Sequence, residues 1–132
     1  MQSAKRRLTR PDQFQPAFVE AFNAGDVDGV LELYEPDAAM KPELDRVARG
    51  VAQIRDGLER LMQLEGQMDF EVKELIVVDD IAYIANQWTL TITGKEGQPA
   101  VQSGVAHEVL RRGADGGWRL LIGNPWGDRV AA

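Results

Sequence analysis

The chain has 132 residues, of which 44% are apolar and 27% charged, an ordinary globular mixture with room for one buried core. Fifteen basic against twenty-one acidic residues leave a net charge of −6, which argues against a nucleic-acid partner. The absence of cysteine excludes disulfides, thiolate metal sites and cysteine nucleophiles.

The first ten residues are basic, with Lys5-Arg6-Arg7 at their centre, but no apolar run succeeds them to make a signal peptide or a membrane span. The expectation is a cytoplasmic protein with no membrane contact. Residues 1–12 read as a flexible N-terminal arm, and 13–128 as a single domain. Phe14, Ala17, Phe18, Ala21 and Phe22 recur at helical spacing, so a first helix runs from about Asp12 to Ala24. Pro11 and Pro16, which lack an amide donor, are tolerated only near its start. Asn23-Ala24-Gly25-Asp26 stops it and caps a second helix carrying Val27, Val30, Leu31 and Tyr34, which Glu35-Pro36 closes.

Ala38 to Lys41 is a candidate short strand, and Pro42 to Gly50 reads as a loop. Val51, Ile54, Leu58, Leu61 and Met62 define a third helix that ends near Gly66. Beyond it the period changes to two, giving strands over 68–78, 81–93, 101–112 and 118–124. Asp79-Asp80, Gly94 to Gln98 and Gly113 to Gly117 are the turns between them. Strands joined so tightly run antiparallel, so the expected fold is α+β: three N-terminal helices packed on an antiparallel meander.

Asn23-Ala24-Gly25-Asp26, Leu33-Tyr34-Glu35-Pro36-Asp37-Ala38-Ala39, Gly50-Val51-Ala52-Gln53-Ile54 and the final hairpin, Val109-Leu110-Arg111-Arg112 with Asp115-Gly116-Gly117-Trp118-Arg119, occur in that order. Together they resemble the nuclear transport factor 2-like (NTF2-like) superfamily, in particular its SnoaL-like and DUF4440-like members, over roughly Gln13 to Asp128. The resemblance implies a cone-shaped, cystatin-like fold in which a curved sheet wraps the helices, a pocket opens at one end and the convex face often makes a dimer. It does not imply one chemistry, because the superfamily spans isomerases, cyclases, dehydratases, epoxide hydrolases, transport factors and a kinase association domain.

Ketosteroid isomerase, a member of that superfamily, uses an aspartate base with a tyrosine and a protonated aspartic acid as oxyanion donors. Position by position, the tyrosine falls on Phe18 and the base on Pro42, neither of which can serve. The protonated acid falls on Glu108, or on His107 with one extra turn residue. Two of three roles are lost, and steroid isomerisation is disfavoured.

His107 and Glu108 remain as candidate catalytic residues. His107, the only histidine, alternates with Val105 and Val109 and is expected to point inward. Should Glu108 point inward instead, it is a candidate acid with a pKa raised by desolvation. Asn86 and Asn124 interrupt otherwise apolar strand faces and are expected to converge at the open end of the cone with Trp126, Tyr34 and Met40. Phe18 and Trp88 complete the expected pocket lining. No metal and no cofactor is expected: Asp37, Glu43 and Asp45 lack a fixing geometry, and no phosphate loop or dinucleotide fingerprint is present.

The expected partner is a small apolar ligand with one or two polar groups, bound or turned over by proton transfer, dehydration or cyclisation. The alternative is a non-catalytic dimeric association module with a filled pocket. In both readings a homodimer forms through the outer sheet face carrying Tyr83, Gln87, Thr89 and Thr91.

Overall fold

A helix that starts next to prolines begins where the missing amides are harmless. In the computed structural model, which describes residues 7–93 and 99–127, Pro11–Gln13 form a single 3-10 turn. The first helix, α1, spans Phe14–Asn23 with Pro16 in its first turn. The Asp26 side chain accepts from the Gly29 amide at 3.0 Å and caps α2, Val27–Leu31. Tyr34, expected on that helix, already belongs to a strand.

That strand, β1 (Tyr34–Glu43), turns back into β2 (Arg46–Arg49), which leads into α3 (Gly50–Met62). The segment expected to be a short strand and a loop is therefore a hairpin. β3 (Gln67–Val78), β4 (Ile81–Thr93), β5 (Pro99–Arg112) and β6 (Trp118–Asn124) form the expected antiparallel meander. The order across the sheet is β2-β1-β6-β5-β4-β3, with β1 parallel to β6. The sheet is thus mixed, because the chain leaves β1 through β2 and α3 before entering the meander and returns to β1 only with its last strand.

The helices cover one face of this curved six-stranded sheet. Phe14, Val30, Leu33, Ile54, Ile84, Leu90, Leu110 and Leu120 are essentially inaccessible between the layers. Within the arm expected over 1–12, Leu8 is buried, and its carbonyl accepts from the Trp118 amide at 2.9 Å. Residues 1–6, the turn at 94–98 and the end of the chain from 128 lie outside the described residues. Among the described residues no helix is long and apolar enough to cross a membrane.

Candidate functional site: a cavity around a buried glutamate

Side-chain direction on β5 is set by its register with β4. Ile84, Asn86, Trp88 and Leu90 face the helices, and Glu108 lies directly opposite Ile84, so Glu108 faces inward with Ala106 and Leu110. His107, expected inward, is on the opposite face. There its Nδ1 shares a hydrogen bond of 2.7 Å with the Tyr83 hydroxyl, and the two rings stack. Apolarity alone misassigned the strand: its inward positions include Gly104 and Ala106, and Gly104 is kept small because Trp88 lies across it. A Cβ at Gly104 would sit 3.0 Å from three atoms of that indole.

A cavity of about 370 Å³ opens between α3, the curved sheet and the segment after β6. Phe18, Tyr34, Met40, Trp88, Asn124 and Trp126 line it, as does Glu108. Phe18, Met40 and Trp88 stand in its wall and do not fill it. The two tryptophan rings meet edge to face, 86° apart with centroids separated by 6.5 Å. The Trp88 indole donates to the Pro125 carbonyl at 2.7 Å and that of Trp126 to the Lys41 carbonyl at 3.1 Å, which holds both rings in place.

The two asparagines do not converge. Asn124 is engaged in the turn after β6: its amide donates to the Gly127 carbonyl at 2.8 Å and its Oδ1 accepts from the Trp126 amide at 3.2 Å. Asn86 is fully buried behind the cavity wall, where its Nδ2 donates to Glu108 Oε1 at 2.5 Å. Gln15 of α1, only 3% exposed, donates through Nε2 to the same oxygen at 3.2 Å. Sequence reasoning missed Gln15. Its signal was its place three residues before Phe18 and seven before Phe22, on one helical face.

Two amide donors on one oxygen stabilise the carboxylate, but burial opposes ionisation more strongly. The Glu108 carboxyl is pushed up to about 7 by desolvation, against the lowering effect of Asn86 and then Gln15. Among the described residues Glu108 has no cationic partner. Both amide hydrogen bonds fall on Oε1. On the neighbouring strand Gly123 pairs with Glu108 and also lines the cavity, so no side chain crowds the carboxyl from that side.

Tyr34, at the start of β1, lines the same cavity. Burial, and secondarily the charge of Glu108, raise its phenol above the ordinary range, so it remains a neutral O–H donor at physiological pH. Its place along the cavity was legible in the sequence; the shift of its phenol was not. Phe18 and Pro42, the two positions at which the isomerase pattern fails, also line the cavity. Among the described residues no group of three or more His, Asp or Glu side chains could hold a metal ion.

The fold has many solved counterparts. A proposed calcium/calmodulin-dependent protein kinase type II association domain from Thiobacillus denitrificans superposes with a TM-score of 0.75 at 22% identity, covering 91% of this chain and 98% of that one. A proposed dehydratase of the NTF2-like family from Streptomyces avermitilis gives 0.73 at 20% identity over 86% and 90% of the two chains. A ketosteroid isomerase-like protein from Erwinia carotovora atroseptica gives 0.69 at 23% identity over 86% and 89%. These likenesses establish the fold and leave the reaction open. No curated protein matches the chain. The model of the SnoaL-like domain matches residues 16–120, most of the chain, and the protein belongs to that family within the NTF2-like superfamily.

Proposed function

We propose that the protein binds a small, largely apolar molecule in the cavity and moves a proton on it, with Glu108 as acid or base and Tyr34 as hydrogen-bond donor. The observation that carries this reading is a single buried carboxyl, held by two amides on one oxygen and bordering a largely apolar cavity. A carboxyl poised near neutrality exchanges protons in both directions at low cost. A ligand carbonyl that gains negative charge as it loses an adjacent proton would be met by the Tyr34 hydroxyl. The cavity lies within the size range of small-molecule sites. Such a pair serves enolisation, dehydration or aldol-type cyclisation equally well, and steroid isomerisation is not proposed.

The test is hydrogen exchange at the α-carbon of 2-tetralone in heavy water, monitored by NMR. The wild type is expected to accelerate exchange above the buffer background, with a rate that rises through a pH of about 7. Glu108→Gln should lose about 100-fold or more of that acceleration. No acceleration together with no binding of the ketone would refute the reading.

A second reading, association through the sheet, has its own observation. On the face away from the helices Val105 and Ile122 are 47% and 49% exposed, beside Tyr83, Ala85 and Val109. Two copies packed there would bury that surface symmetrically. Val105→Arg is expected to turn a dimer into a monomer in sedimentation velocity; a wild-type monomer, or a dimer that survives the substitution, would exclude this interface.

A further inference from the structure

Buried carboxylates in folded proteins are matched by a cation or kept neutral. Glu108 is 8% exposed, and its partners are two neutral amides. Every ion pair among the described residues involves other acids, and the one whose two members both border the cavity is Arg60 with Glu43. The carboxyl therefore has hydrogen bonds but no counter-charge, and it borders a cavity large enough to admit one.

The walls of that cavity suit a cation as well. Trp88 and Trp126 stand at right angles, so a group in the corner between them meets the face of one indole and the edge of the other. Phe18 packs against Phe70 with centroids 5.4 Å apart, and both line the same space. Aromatic faces attract a desolvated cation through the ring quadrupole, most strongly for tryptophan. At the mouth Arg60 lies within 3.9 Å of Glu43 and 3.6 Å of Asp56, so its charge is already faced by two carboxylates. The other cationic residue that borders the cavity is Lys41, whose carbonyl accepts from the Trp126 indole.

We infer that the ligand of this cavity is an organic ammonium, an apolar body with a protonated amine that pairs with Glu108 and rests against the aromatic walls. The inference depends on the reading of the cavity as a ligand site and narrows its chemistry. Pairing with a cation favours the ionised carboxyl, so binding below neutrality releases the proton that Glu108 otherwise retains. A neutral ligand of the same shape releases none.

The experiment is isothermal titration of the full chain with 2-naphthylmethylamine and with its neutral isostere 2-naphthylmethanol. Titrations at a pH of about 6 are run in two buffers that differ in ionisation enthalpy. The amine is expected to bind about tenfold or more tightly than the alcohol, with release of up to about one proton per site. Glu108→Gln should abolish both the preference and the release. If that variant does not fold, the buffer dependence of the wild type decides alone.

Equal or tighter binding of the alcohol would overturn the ammonium inference and leave the cavity reading standing. A preference that survives in folded Glu108→Gln would also overturn it, since the charge would then be read elsewhere. Binding of neither probe would count against both readings.

Discussion

Glu108 concentrates the conflict on which the site depends, and that conflict has a measurable effect on stability. In the unfolded chain a glutamate ionises near 4.5, whereas in the native protein this one does so at about 7. Between those values the native state holds the proton more firmly than the unfolded state does. Its contribution to stability is complete below 4.5 and declines as pH rises toward and past 7. The full swing is on the order of 3 kcal/mol. Glu108→Gln retains an oxygen for the Asn86 and Gln15 amides but cannot ionise. The variant is therefore expected to match the wild type near a pH of about 4 and to exceed it by up to about 3 kcal/mol near a pH of about 8, measured from urea midpoints at the two pH values. Parallel pH profiles for the two proteins would mean that the carboxyl is not desolvated. The sequence made Glu108 visible only as one of two adjacent candidates, because the strand face that looked more apolar, Val105-His107-Val109, is the outer one.

At the scale of elements, legibility came from local periodicity. α1, α3 and the four meander strands announce themselves through apolar spacing, and their bounds in the structure depart from the expected ones by only a few residues. β1 and β2 were obscured by proline. Pro36 falls within the register break between Tyr34 and Ala39 on the β6 side, and Pro42 within the break between Met40 and Glu43 on the β2 side. In both places a missing amide breaks no regular ladder. A strand assembled around two such breaks carries no alternating pattern to read. Gly57, which reads only as a weak point of α3, marks where that helix passes close to β1: a Cβ there would lie 3.2 Å from that of Pro42. Asn23 is a helix-stop residue in the sequence and a clamp in the structure. Its amide donates to the Met68 carbonyl at 3.0 Å and its oxygen accepts from the Met68 amide at 2.7 Å, which fixes the end of α1 to the start of β3. The partner was illegible because it lies beyond α3.

At the scale of the whole molecule, the cavity exists because the sheet curves away from the helices while the residues along the gap remain small or stay in its wall. Ala106 and Gly123 line it where larger side chains would close it. No single window of sequence records this, since the gap lies between elements from both ends of the chain. If the gap is kept for a ligand, filling it should separate stability from function. Ala106→Leu adds apolar atoms next to Trp88 and Glu108 in space that is already empty, where each newly buried methylene contributes about 0.8 kcal/mol. The variant is expected to melt about 3–6 °C higher than the wild type by calorimetry and to lose binding of 2-naphthylmethylamine. In a filled core the same substitution would overpack and cost about 1–3 kcal/mol. A lower melting temperature would therefore mean that the protein closes over this space in solution, leaving the outer sheet face as the better candidate for what the molecule does.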